Sequence, residues 1–310
     1  MSLPEVGVFL VALVVLIVAG VALTVGAGML YCAWAARHYG AAGMGADAGD
    51  LRAFGRVRLS VFARARGLLI EVGCQTFALV LRAAQELRLL RKLAGDPRGT
   101  PVLVLPGYVE NAGTMWWLGR RLERAGFNVV LVEFPSTTCA IEQNVAYLAA
   151  VIEQMRVSSG GDRVAVVAHS MGGVIARTLT LSREDHGVHT LVAIGSPFRG
   201  THLARIGVRL RFGHCVGQLV PGSVFLRRFP PSQPCPVPTL SLIAPQENIV
   251  TPVYSAVIAG AQLHVMAEGY GHEAPLFLGS VCNEVEAWLV AQGVTRVPAG
   301  LADPGAADVS

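Results

Sequence analysis

Apolar positions change their period twice along this chain. From Val6 to Trp34 they run on without one charged residue for 29 positions, where about 20 suffice to cross a bilayer as a helix. Between Val57 and Leu93 the spacing turns amphipathic. Val61, Leu68, Leu69, Val72, Phe77, Val80 and Leu81 gather on one side of a helix, with arginines between them. From Pro101 onward, short β-prone runs alternate with helical stretches. Strands are expected at Val102–Leu105, Val129–Phe134, Val164–Ala168, Thr190–Ile194, Thr239–Ala244 and Leu263–Ala267. Helices are expected at Thr114–Ala125, Ile141–Val157 and Gly173–Leu181, with a last one at Leu278–Ala291. This alternation predicts an α/β fold with a compact, mostly parallel, doubly wound sheet of six strands.

The pattern divides the chain into residues 1–36, a transmembrane anchor; 37–96, a basic amphipathic linker closed by Gly95-Asp-Pro-Arg-Gly; 97–293, a catalytic domain; and 294–310, a small, polar tail expected to be disordered. Gly200 to Pro238 is rich in Gly, Pro and Arg and interrupts the strand–helix rhythm, which makes it the candidate lid or cap. The start, MSLPEVG, carries no Lys or Arg, and the apolar run exceeds the h-region of a signal peptide, so the span is expected to be retained. Gly67–Leu81 is short and contains Glu71, so it reads better as a helix lying on anionic lipid or on the catalytic domain than as a second crossing.

Composition sharpens this picture. The chain is 53% hydrophobic and 15% charged, with a mean hydropathy of +0.51 that an ordinary soluble domain does not reach. Net charge is +4, and residues 51–100 hold ten Arg/Lys against Glu71, Glu86 and Asp96. The basic excess lies beside the span, which points to a membrane surface and away from nucleic acid. Because Arg37, Arg52, Arg56, Arg58, Arg64 and Arg66 follow the span, the positive-inside rule places the catalytic domain in the cytoplasm. Six cysteines show no metal-ligand spacing, so no metal is expected; Cys215 and Cys235, which flank a Pro-rich stretch, are read either as a disulfide or as two free thiols.

The candidate chemistry centres on Arg163–Leu181, where a continuous apolar strand meets Ala168-His-Ser-Met-Gly-Gly and then a helical pattern. A serine at a strand-to-helix turn is held with its hydroxyl clear of the sheet, and small flanking residues let the helix pass. Ser170 is therefore the candidate nucleophile. It needs a base, an acid to orient the base, and amides for the oxyanion. His272, in the Gly-flanked loop Gly269-Tyr-Gly-His-Glu after the sixth strand, is the candidate base. Glu247, directly after the fifth strand, is the candidate acid, with Glu133 and Glu273 as rivals. The Tyr108 amide, after Leu103-Val-Leu-Pro-Gly, and the Met171 amide are the candidate oxyanion donors.

AHSMGG, LVLPGY, IGSPFRGTHLA, ENIVTP and GYGHEAPLF together resemble the bacterial lipase/esterase branch of the α/β-hydrolase superfamily over roughly residues 100–292. The resemblance implies hydrolysis of carboxylic esters, often acylglycerols, through an acyl-serine; the leading reading is such an esterase or lipase without metal or cofactor, held in the bacterial inner membrane by the span, which lies outside the resemblance. The resemblance assigns the same roles to Ser170, His272, Tyr108 and Met171. Two departures stand out: Pro106 replaces a histidine, and Glu247 stands where the acid is usually Asp. A thioesterase or acyltransferase would use the same triad. A catalytically silent membrane scaffold is the alternative outside enzymes.

Overall fold

The computed structural model describes residues 3–39, 59–93, 95–161, 163–266 and 268–297. Arg52, Arg56 and Arg58 of the basic segment, Ala267 at the end of the sixth expected strand, and the tail from residue 298 lie outside them.

Continuous runs of β-branched and aliphatic residues form the centre of the sheet because both of its faces are covered. Strands β1 (Pro101–Leu105), β3 (Val164–His169) and β5 (Thr239–Ile243) are buried at every position. With β2 (Asn128–Leu131), β4 (Val188–Ile194) and β6 (Gln262–Val265) they make one sheet in the order β2-β1-β3-β4-β5-β6, every pair parallel. Side chains of β1 alternate between two cores. Leu103 and Leu105 pack with Leu148, Ile152, Ile175 and Leu179 of α4 (Ile141–Ser159) and α5 (Met171–Ser182) on one face. Val102 and Val104 pack with Met115, Leu118, Val285 and Leu289 of α3 (Ala112–Arg124) and α9 (Gly279–Ala291) on the other. The second strand stops at Leu131, three residues short of its expected end, and Val132 and Phe134 enter the core from the following loop.

From β1 the chain steps out to the edge strand β2, returns to β3 beside β1, and then proceeds in one direction to β6. The reversal falls at the carboxyl ends of β1 and β3, the switch point at which open α/β sheets form the crevice for their sites.

The stretch 200–238 folds into three short helices, α6 (Leu203–Arg209), α7 (His214–Gln218) and α8 (Val224–Arg228). Buried Arg177 of α5 donates to the carbonyls of Phe229, Pro230 and Gln233 and ties the end of this stretch to the core. Cys215 and Cys235 are free thiols: Cys215 bonds to the Thr137 carbonyl and Cys235 lies against the Thr180 hydroxyl.

Two long helices precede the sheet. In α1 (Leu3–Tyr39), Ala12–Ala35 is long and apolar enough to cross a membrane. Its inner half also touches the domain: the Tyr31 hydroxyl donates to the His202 carbonyl at 3.2 Å, and Gln246 Nε2 reaches Met29 Sδ at 3.2 Å. The second helix, α2 (Val61–Glu86), begins at the Ser60 cap and crosses the carboxyl edge of the sheet. It packs on the domain through Gly67, Glu71, Ala78 and Leu81, while Phe62, Leu69 and Val80 face outward. Trp116 and Trp117 of α3 serve packing: the Trp116 indole donates to the Arg91 carbonyl, and Trp117 stands edge-on to Phe77 of α2.

Replacing Arg177 with Met strands three carbonyls that α5 now satisfies. Destabilisation of about 2–4 kcal/mol is expected, measured by thermal unfolding in detergent, with faster amide exchange at 226–235; a change under about 0.5 kcal/mol would remove Arg177 as the clamp.

Candidate active site

Ser170 joins β3 to α5 at φ 50°, ψ −123°, a left-handed conformation that non-glycine residues rarely adopt and that persists only where surroundings impose it. Here its N–H donates to the Ile194 carbonyl at 2.8 Å, and its own carbonyl accepts from Gly173. The helix after the turn passes very close to two neighbouring strands. A methyl group on Gly172 would sit 2.6 Å from the Pro106 carbonyl oxygen, and one on Gly173 would sit 2.1 Å from Ser196 Oγ. Small residues after the serine are therefore a packing requirement.

His272 is held from two sides. Its backbone N–H donates to Asn248 Oδ1 at 2.9 Å, and its ring Nδ1 lies 2.7 Å from Glu247 Oε1. Because a carboxylate only accepts, Nδ1 carries the proton and Nε2 keeps its lone pair. The other Glu247 oxygen accepts from the Ile249 and Val250 amides at 3.2 and 3.0 Å, which fixes the carboxylate on its own loop. Burial works to lower the His272 pKa. The Glu247 charge and hydrogen bond outweigh it and leave the imidazole above its ordinary value. Gly195, at the end of β4, lies directly beneath this pair. Glu133 is elsewhere, accepting from the Ala112 amide at 2.9 Å.

The loop after β1 lies against the serine, since a methyl group on Gly107 would come within 2.8 Å of Ser170 Cβ. Within it, the Gly107 N–H donates to Glu110 Oε2 at 2.5 Å and the Val109 N–H to Thr137 Oγ1 at 3.1 Å. The Tyr108 amide is thus pinned between two anchored neighbours, with Val109 at φ 55°. Its phenol reaches across to donate to the Phe212 carbonyl of the cap. Met171 opens α5, where the first N–H groups of a helix have no partner within it.

A second buried pair stands behind the first. His169 Nδ1 lies 2.8 Å from Glu110 Oε1, and its Nε2 lies 3.1 Å from the His272 carbonyl. Both partners are acceptors, so both ring nitrogens carry protons and the ring is an imidazolium. Burial alone would lower its pKa, but the Glu110 charge prevails and brings it to about 9. Glu273 is pushed up to about 8 by burial and by Glu110. Glu110, His169 and Glu273 bring ligand atoms within 4.8 Å of one another. Both His169 nitrogens are engaged in these hydrogen bonds, so the ion pair here is His169 with Glu110.

A family model described as the alpha/beta hydrolase fold matches residues 100–213. The chain has the α/β-hydrolase fold. Among solved structures, lipase B of Aspergillus fumigatus superposes with a TM-score of 0.51 at 22% identity, covering 59% of this chain and 50% of that one. The chain therefore spans half the length of the fungal protein. The mature form of a Bacillus licheniformis lipase gives 0.53 at 16% identity, covering 65% of this chain and 96% of its own. A metagenomic carboxyl esterase gives 0.50 at 16%, covering 66% and 79%. No curated protein matches the sequence.

Within this fold, Ser170, Met171, Tyr108, Glu247 and His272 all follow the carboxyl ends of strands, after β3, β1, β5 and β6. Four further side chains hold these loops without having been expected to: Glu71, Glu110, His169 and Asn248. A carboxylate in an apolar helical stretch, as at Glu71, was the available signal for the first. Nothing local to the other three marks them.

The raised pKa of His169 makes the inner pair pH-dependent. A group protonated more readily when folded contributes its full stability below its unfolded value, about 6.5, and loses it as pH rises through about 9. Thermal unfolding temperature is therefore expected to fall more between pH 7 and 10 in the native protein than in His169→Gln. Equal slopes would contradict the imidazolium assignment.

Proposed function

We propose that the protein is a membrane-anchored serine hydrolase of carboxylic esters, acting on lipid-like substrates such as acylglycerols. The observation that carries this reading is the buried Glu247–His272 pair, 2.7 Å apart on the loops after β5 and β6, at the same carboxyl edge of the sheet where Ser170 ends β3 at φ 50°. Names of the superposed lipases and the carboxyl esterase agree with it.

His272 Nε2 takes the Ser170 proton as the hydroxyl oxygen attacks the ester carbonyl. The carbonyl electrons move onto oxygen, and the Tyr108 and Met171 amides hold that oxyanion. Glu247 keeps the imidazole in the required tautomer and stabilises the imidazolium while it exists. Collapse expels the alcohol, which takes the proton from His272. Water, deprotonated by the same ring, then attacks the acyl-serine; the bond to Ser170 breaks, its oxygen takes the proton back from His272, and the carboxylic acid leaves. Every step uses groups of this chain.

Substrate class follows from where the crevice sits. Tyr31 and Met29 of the apolar α1 touch the cap and the loop that carries Glu247, so the span delivers the catalytic edge to the bilayer surface. On the cap, Ile206, Val208, Leu210 and Phe212 are exposed and apolar, suited to lipid chains. With arginines following the span, the domain is assigned to the cytoplasmic face of the inner membrane.

Ser170→Ala and His272→Ala are each expected to abolish hydrolysis of p-nitrophenyl esters, leaving at most about 10³-fold over water. Glu247→Gln keeps the shape and loses the charge, so kcat should fall by roughly 10²–10⁴ with little change in KM, whereas Glu133→Gln should stay near the native rate. Substantial turnover in Ser170→Ala ends the mechanism, and the reverse order of the two glutamates reassigns the acid. The acid limb of kcat/KM should also lie above the ordinary histidine value, as the His272 environment requires.

A further inference from the structure

The base loop is held by a residue of α2, and both the loop and the helix lie outside residues 100–213, the segment that matches the alpha/beta hydrolase fold model. Helix α2 ends before residue 100, where that match begins. Its Glu71 is completely buried. Oε1 accepts from the Glu273 amide at 2.9 Å and Oε2 from the Ala274 amide at 3.0 Å. Gln75, one turn along α2, points its amide at Oε1 from 3.4 Å. The contact leaves no slack: a methyl group on Gly271 would lie 2.4 Å from the Glu71 carboxyl carbon. One turn earlier, Gly67 stands against the Gly269 carbonyl with equally little room.

These contacts fall on the two residues that follow His272. Three successive amides, those of His272, Glu273 and Ala274, are each bound by a side-chain oxygen from a distant part of the chain, Asn248 for the first and Glu71 for the other two. Outside the short turn Ala274–Phe277, residues 268–273 have no regular structure of their own to hold the ring in place. A carboxyl group that accepts two consecutive amides, one on each oxygen, fixes both the position and the direction of that backbone; burial raises the Glu71 pKa, and the two amide hydrogen bonds oppose that rise. Misplacement of a catalytic group by about 1 Å costs on the order of 10²-fold in rate.

We propose that Glu71 is a positioning residue for the catalytic base: it locks the His272 loop onto α2, which makes this amphipathic helix a working part of the active centre. The proposal rests on the serine-hydrolase reading. The outer face of the same helix carries exposed Phe62, Leu69 and Val80, so one face of α2 looks outward while the other sets the base.

The test uses the full-length protein in detergent micelles with p-nitrophenyl butyrate, kcat being expressed per serine titrated with a fluorophosphonate. Glu71→Gln is nearly isosteric but turns an N–H toward one of the two amides. Its kcat should fall about 10- to 100-fold with KM changing less than about threefold, and Glu71→Asp should recover part of the loss. Leu69→Ala, on the outer face, should match the native enzyme. A Glu71→Gln protein whose kcat per titrated serine is within twofold of native overturns the proposal, as does a variant that loses only thermal stability. If Glu71→Gln yields no folded protein, Gly271→Ala displaces the same carboxylate from the loop side; a comparable fall in kcat supports the proposal, and native kcat overturns it. Native protein inert toward esters contradicts the hydrolase reading itself, before any Glu71 variant is compared, and this proposal falls with it.

Discussion

A carboxylate out of water must be surrounded by donors, because moving an unpaired charge inside costs several kcal/mol. The centre of this protein is arranged around that constraint. Glu247 meets it with the His272 ring and the Ile249 and Val250 amides. Glu110 meets it with His169 and the Gly107 amide, and Glu71 with the Glu273 and Ala274 amides. Each carboxylate thereby ties down a different loop: the one after β5, the one after β1, and the one that carries His272. Loops without regular structure have few internal restraints, and here buried charge supplies them. His169 then links the loop after β1 to the one that carries His272, since it bonds Glu110 on one side and the His272 carbonyl on the other.

Strain is imposed at the same place. Ser170 at φ 50° and Val109 at φ 55° are both held by the packing around them. The crowding at Gly172 and Gly173 shows how little freedom the turn after the serine has. Such outliers, clustered where two loops approach one another, mark the position at which the chain gives up local comfort for geometry.

The parts of this architecture that depend on local pattern were readable along the chain. The central strands and the helices Ala112–Arg124, Ile141–Ser159, Met171–Ser182 and Gly279–Ala291 follow from apolar periodicity, because buried parallel strands must be continuously apolar, whereas the three short helices within 200–238 do not. The serine turn was readable because it needs small residues at fixed offsets. Pairings across long sequence separation were not. Nothing near Glu71 says that its partners lie some 200 residues away, and nothing in AHSMGG says that His169 is an imidazolium. The amphipathic pattern of 57–93 left open whether α2 meets lipid or protein. Its buried Gly67, Glu71, Ala78 and Leu81 pack on the domain, while the opposite side stays apolar and exposed. Free Cys215 and Cys235 likewise resolve an alternative that spacing could not.

The central claim is that Ser170 is a nucleophile activated by His272. Its most direct test is covalent labelling of the native, full-length protein with a fluorophosphonate, followed by peptide mapping of the adduct and by measurement of the labelling rate against pH. A single adduct on Ser170 is expected, forming quickly where the His272 imidazole is neutral and slowing as it protonates. Absence of an adduct, an adduct on another serine, or a rate indifferent to pH across the histidine range would contradict it.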